Sequence, residues 1–211
     1  MPPGVKRKRR ESGSDDEVVQ TSDGGEMTTG YITKIKLTDF MCHHEFTWKP
    51  KEINFLIGEN GSGKSSILQG MVLGLLGKSK VTSRFSKLGD FVRKDCQKSV
   101  IEISLCNEGK DAWDPKTYGN TIIVQRTIYA SKANKLLLQN WKGETVFQEE
   151  KKARDELSRI LHKFDIFIDN PLVILQQEVA KSLLNDLKPE KMFMFIMKAT
   201  MLEEIRSWYK A

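Results

Sequence analysis

Gly58-Glu59-Asn60-Gly61-Ser62-Gly63-Lys64-Ser65 is the stretch whose reading decides the fold. It fits G-x-x-x-x-G-K-[ST], a loop whose glycines let successive backbone N–H groups turn inward around an anion. The flanks are those the loop requires. Upstream, the apolar run Ile53-Asn54-Phe55-Leu56-Ile57 reads as a buried strand. Downstream, Ile67, Leu68, Met71, Val72, Leu75 and Leu76 recur at helical spacing, and Gly77 closes the helix. A glycine-rich turn can cap a helix with no ligand at all, but a chance match to the whole pattern is on the order of one in a hundred for a chain of this size. The strand–loop–helix order therefore implies a nucleoside triphosphate held through 58–66. Gly58, Glu59, Asn60, Gly61, Ser62, Gly63 and Ser66 supply backbone, Lys64 reaches the β- and γ-phosphates, and the Ser65 hydroxyl faces Mg²⁺.

Composition bounds the rest. The 211 residues suit one domain with tails, and 39% hydrophobic with 29% charged residues is the balance of a soluble globular chain. No apolar run approaches the ~20 residues that span a bilayer, so no membrane role is expected. Cys42, Cys96 and Cys106 have neither disulfide nor metal spacing, which points to free thiols in a reducing compartment. A net charge of +6 suits a polyanionic partner without demanding one.

Residues 1–29 read as a disordered tail. The block Lys6-Arg7-Lys8-Arg9-Arg10 has the form of a nuclear import signal and is followed by an acidic, serine-bearing stretch. Order is expected from Gly30, with strands over 31–37 and 46–48 before the loop. Further strands are expected over 101–105, 122–129 and 136–139, the last two as a hairpin. Ala153, Leu157, Ile160, Leu161 and Phe164 share a helix face. Val173-Ile174-Leu175-Gln176 reads as a strand ended by Gln177, and from Pro189 the pattern is helical to the end, with Phe195, Ala199, Leu202, Ile205 and Tyr209 on one stripe. That stripe is about two heptads long, short of the three to four that establish a coiled coil. The fold class is thus α/β, a P-loop NTPase. Antiparallel-looking strands on both sides of the loop helix suit the first lobe of an ATP-binding-cassette (ABC) domain, at 30–190, followed by the start of a coiled-coil helix at 191–211.

A family resemblance follows. Leu37-Thr38-Asp39-Phe40-Met41-Cys42-His43, then Asn54-Phe55-Leu56-Ile57 and the loop, resemble the N-terminal ATPase head of structural maintenance of chromosomes (SMC) proteins. Gly119-Asn120-Thr121-Ile122, Asp169-Asn170-Pro171 with Gln177-Glu178, and Phe195-Ile196-Met197-Lys198-Ala199-Thr200 agree. Within the family, the Asp39–His43 string is most similar to the branch that works in the SMC five–six complex. The resemblance implies that Gln177 reaches Mg²⁺ and the attacking water, and that Arg84 stands near the phosphates. It also implies a chromosomal, nuclear ATPase of DNA repair and recombination that holds DNA with little sequence preference. Met41 stands where many relatives carry a basic residue, so no phosphate contact is expected from that turn.

Two parts of an ABC-type site do not occur in the sequence: an apolar strand ending in Asp-Glu and a Ser-Gly-Gly signature. Ile166-Phe167-Ile168-Asp169 imitates the first, but Asn170 follows where the glutamate belongs. The family implies that its own C-terminal lobe and a partner head, an SMC five-type subunit, supply what is missing. The expectation is a half-head that binds ATP and is inactive alone, from a fragment, a truncated gene model or a short isoform. Two alternatives stay open: a standalone phosphate-loop kinase of a small molecule, and a non-catalytic interaction module. Basic residues Lys78, Lys80, Arg84, Lys87, Arg93 and Lys94 follow the loop helix as a candidate DNA contact.

Overall fold

Nine-residue apolar alternation is what builds the main sheet. In a computed structural model, which describes residues 18–19, 29–77, 87–170, 172–175, 177, 180–181, 188–202 and 209, five strands pair antiparallel in the order β3-β2-β5-β6-β7. They are β2 (Ile32–Phe40), β3 (His43–Trp48), β5 (Lys98–Cys106), β6 (Thr121–Tyr129) and β7 (Lys135–Gln139). Ile35 and Leu37 of β2, Ile101, Ile103 and Leu105 of β5, Ile122, Val124 and Ile128 of β6, and Leu136 and Leu138 of β7 form one buried face. The alternate face carries ion pairs such as Lys34–Glu102 at 3.2 Å and Lys36–Glu45 at 2.9 Å.

Among the described residues, two helices cover the apolar face. α1 (Lys64–Gly74) lies on β2, β5 and β6, and it approaches the sheet through glycines. A Cβ on Gly70 would come within 2.7 Å of a Leu37 methyl, and one on Gly74 within 2.5 Å of Ile103 and 2.8 Å of Ile101. Its far end closes as a Schellman motif: Leu76 N–H donates to Leu73 O at 3.3 Å and Gly77 N–H to Val72 O at 2.8 Å. The left-handed residue there is Leu76 (φ 65), not Gly77. Gly77 is needed for space instead, since a Cβ on it would meet Val72 O at 2.7 Å. The buried Arg126 guanidinium of β6 donates to the Leu73 carbonyl at the same helix end. α3 (Glu150–Lys163) buries Ala153, Leu157, Ile160 and Leu161, the face expected from the sequence, and packs against β7. The loop read between Asp114-Pro115 and Gly119-Asn120 contains one helical turn, α2 (Pro115–Tyr118). Buried Asn107 organises it, with its side chain bonded to Trp113 N–H at 2.7 Å, Trp113 O at 2.9 Å and Gly119 O at 2.8 Å.

Four expectations are corrected. The strand before the loop, β4, spans only Phe55–Leu56, and Ile53, Phe55 and Ile57 are 68%, 60% and 65% exposed, because β4 lies outside the five-stranded sheet. The tail reading falls mostly outside the described residues, yet Val18–Val19 form β1 and pair antiparallel with β4, Val18 opposite Leu56 and Val19 opposite Phe55. An open strand edge presents unpaired backbone groups, and two β-branched residues suit it. Val173-Ile174-Leu175 is a turn and bend leading into helical backbone at Gln177, not a strand: Val173 and Ile174 N–H both donate to Asn170 O. The helix α4 (Pro189–Ala199) is interrupted at Thr200 and Met201, with helical backbone again at Leu202, so the described helix is not continuous as expected. The Thr200 hydroxyl donates to the Ile196 carbonyl at 2.7 Å and Met201 turns left-handed at φ 58. Of the expected stripe, Ala199 is buried and Phe195 half-buried, Leu202 and Tyr209 are exposed, and Ile205 lies outside the described residues.

The glycine contact of α1 sets a stability test. Gly74→Ala gains about 1 kcal/mol of helix propensity but forces a methyl against two fully buried isoleucines, an overpacking cost of about 1–3 kcal/mol. A net loss of about 1 kcal/mol is expected in urea denaturation. Leu157→Ala, which opens a cavity instead, should cost about 2–5 kcal/mol. A Gly74→Ala midpoint at or above the parent's would show slack between helix and sheet.

Candidate functional site

The loop 58–63 leaves β4 and curls into the N-terminus of α1. Ser62 N–H donates to Glu59 O at 3.2 Å, and the Gly63 carbonyl accepts from Ser66 N–H at 2.9 Å and Ile67 N–H at 3.2 Å. Gly61 (φ 89) and Gly63 (φ 103) hold conformations that side-chain-bearing residues rarely adopt. Gly61 faces open space, whereas a Cβ on Gly63 would meet the His43 ring at 2.6 Å and Cys42 Sγ at 2.7 Å. Gly63 is therefore fixed twice, by its dihedral and by its neighbours.

Helix geometry leaves the first-turn amides without intrahelical acceptors and concentrates positive dipole there. This chain does not neutralise that end: the first turn of α1 carries no acidic residue, and no side chain caps it. Lys64 adds a full charge. Its Nζ lies inside the curl, donating to Gly58 O at 2.7 Å, Glu59 O at 2.6 Å and Ser62 Oγ at 3.4 Å. The two serines that follow differ. Ser65 is exposed on the first turn, while Ser66 is buried, with Oγ 3.6 Å from Cys42 Sγ and its amide spent on Gly63. Chemically, the arrangement offers an anion a curled glycine backbone, one ammonium and one outward hydroxyl.

Among the residues named from sequence, the structure brings 58–66 together. Gln177 takes an exposed helical position, and Arg84, with Lys78 and Lys80, lies outside the described residues. Asn170 acts as a tether: its Nδ2 donates to Ala199 O at 2.9 Å and its Oδ1 accepts from Leu172 N–H at 2.9 Å. The segment 166–170 is turn and coil, so Asp169 does not end a strand. Sequence reasoning gave no role to the β2–β3 turn at Met41 and Cys42, although it is the element pressed against the loop. Beside that turn, the Asp39 carboxylate accepts from His44 Nδ1 at 2.6 Å, which holds Asp39 below the usual carboxylate range. Burial, reinforced by Asp39, pushes the Cys96 thiol up. No residue type in the turn announces this placement. Only the pairing of Phe40 with His43 creates it.

Comparisons with known proteins agree with this architecture. The family model described as AAA domain matches residues 34–208. Structural maintenance of chromosomes protein 6 of Dictyostelium discoideum is 35% identical over 185 residues, covering 87% of this chain and 15% of that protein. The Homo sapiens protein of the same name is 35% identical over 217 residues, covering 99% of this chain and 19% of that protein. The chain thus spans less than a fifth of the length of these curated relatives. A solved structure from work on ATP-driven dimerization and DNA stimulated activation of SMC ATPases shares the fold at TM-score 0.65 and 21% identity. It covers 80% of this chain and 98% of its own. An Smc head with an extended coiled coil, bound to the C-terminal domain of ScpA from Pyrococcus furiosus, does so at TM-score 0.55 and 21% identity, covering 85% and 44%. The expected ABC-type half-head is the fold found, and the chain belongs to the AAA domain family, in its structural maintenance of chromosomes branch.

Proposed function

We propose that this chain is the ATP-binding N-terminal half-head of a chromosome-organising ATPase of the protein 6 kind, acting on DNA in repair and recombination. One observation carries the reading: a glycine loop curled around the Lys64 ammonium at an uncapped, acid-free helix N-terminus. A triphosphate entering the curl would exchange the weak carbonyl partners of Lys64 for charged oxygens. It would also receive the outward amides of the first turn. Asn60 and Gly61, exposed at the rim, leave room for the polyanion.

Mg²⁺ fits the donor set only together with that triphosphate. Among the described residues no group of three or more His, Cys, Asp or Glu side chains could hold a metal by itself. Ser65 offers a single exposed hydroxyl next to Lys64, and Mg²⁺ is commonly held by one or two protein oxygens plus phosphates. Held there by the Ser65 hydroxyl and the phosphates, the ion would supply charge neutralisation for the triphosphate. By family resemblance Gln177 would reach Mg²⁺ and the attacking water, and Arg84 would stand near the phosphates.

Catalysis needs more than this lobe presents. Stabilising phosphoryl transfer takes groups on both sides of the γ-phosphate, and the sequence holds neither an Asp-Glu strand nor a Ser-Gly-Gly helix start. The outward apolar row Ile53, Phe55, Ile57 and the exposed Leu172, Val173 and Leu175 support a further lobe against this one. The reading assigns that lobe to the same protein's C-terminal part and the opposing head to an SMC five-type subunit. The basic block at Lys6-Arg7-Lys8-Arg9-Arg10 supports a nuclear, chromosomal location.

Three measurements test this. Lys64→Ala should weaken ATP binding at least roughly a hundredfold in calorimetry with the fold retained, since its charge-assisted bonds to phosphate disappear; parent-like affinity would misplace the phosphates. The 211-residue chain should show negligible ATP turnover, gained on adding the C-terminal lobe and partner head, and robust hydrolysis by the pure chain would overturn the incomplete-site reading. Neutralising Lys78, Lys80 and Lys87 to Gln should flatten the logarithmic salt dependence of DNA affinity, by up to about 0.9 for each DNA phosphate left without its lysine, and ATP affinity should not change. An unaltered slope would place DNA elsewhere.

A further inference from the structure

The β2–β3 turn is anchored independently of the loop it touches. Met41 N–H donates to Phe91 O at 2.9 Å, the Phe40 ring stacks on Phe91 at 5.9 Å, and Asp39 holds His44. From this fixed tip, His43 turns inward. It is 9% exposed, its ring lies 5.1 Å from Phe46, and its Nε2 is 3.3 Å from the Gly63 carbonyl oxygen. A carbonyl only accepts, so Nε2 carries the hydrogen and donates. The ring also fills the space beside Gly63 that a side chain would need.

This contact bears on anion binding through peptide geometry. In a trans peptide the carbonyl oxygen and the next amide hydrogen lie in one plane and point in opposite directions within it. Fixing the Gly63 carbonyl therefore fixes the direction of the Lys64 amide. Gly63 needs such a restraint, because glycine has the widest choice of backbone states. Ser66 and Ile67 amides hold the same oxygen from the helix side, and His43 holds it from the sheet side. We propose that His43 is a positioning residue for the phosphate loop, orienting the Gly63–Lys64 peptide from the β2–β3 turn so that the Lys64 amide faces an incoming triphosphate. The affinity arm of this inference rests on the nucleotide reading; the orientation arm does not.

The experiment uses the full chain and two substitutions. His43→Phe keeps an aromatic ring against Phe46 but has no donor. His43→Gln places an amide N–H close to where Nε2 stands. Without nucleotide, hydrogen exchange of the 58–66 amides is expected to quicken roughly fivefold in His43→Phe and to return to the parental rate in His43→Gln. Titration with a fluorescent ATP analogue should follow the same order, with roughly fivefold to tenfold weaker binding for Phe and rescue by Gln. Should Phe unfold the chain, His43→Met fills the space without a donor and takes its place. Parental exchange in the donor-less variant, or no rescue by a Gln variant that melts like the parent, would overturn the assignment. If the parent binds no ATP analogue, the nucleotide reading fails, while the exchange rates still decide the role of His43.

Discussion

Everything in this lobe depends on one helix lying flush against one sheet. Gly70 against Leu37 and Gly74 against Ile101 and Ile103 let α1 sit closer than side chains would allow. The height of the helix sets the height of its N-terminus, and with it the distance between Gly63 and the β2–β3 turn. A larger residue at either position would lift the axis and pull the loop from the hairpin. Dispersion falls steeply with separation, so a gap of under an ångström already forfeits much of the attraction. The chemistry at one end of α1 is thus fixed by packing near its middle and far end.

The two ends of that helix are treated oppositely. At the N-terminus, where the dipole is positive, the chain adds Lys64 and withholds acids and caps. At the C-terminus, where it is negative, a cation is buried: Arg126 donates to Leu73 O, and desolvation depresses its pKa, with Arg154 adding to the effect. Burying a guanidinium costs free energy unless it finds a carbonyl at such a site. The helix dipole is thus reinforced at the end facing the loop and offset at the other.

Much of this was legible from periodicity. β5, β6 and β7 bury the alternation that the sequence shows, and α3 buries its five-residue stripe apart from Phe164, which is half-buried. These elements face one core on one side, the case in which pattern equals burial. Ile53, Phe55 and Ile57 are the instructive exception: an apolar run marks surface that is favourable to bury, whether or not this chain buries it. The α1 stripe of large residues concealed its closest contacts, because glycines carry no hydrophobic signal. The break at Thr200 and Met201 and the strand at Val18–Val19 depend on local hydrogen bonds and on an open edge that single-residue preferences do not encode. At the site, the loop was readable because its chemistry constrains contiguous residues. His43 was not, because its relation to Gly63 exists only through the fold.

The short ribbon of β1 on β4 has a colloidal consequence. An apolar strand with one free edge templates association between copies, and proteins commonly guard such edges with short, charged or flanking segments. Here the guard is two valines, preceded in sequence by a segment of mixed charge, on a strand whose outward side chains stay wet. Concentration, more than temperature, would then limit how long this lobe remains dispersed in solution, and charge on the neighbouring tail would act as its gatekeeper.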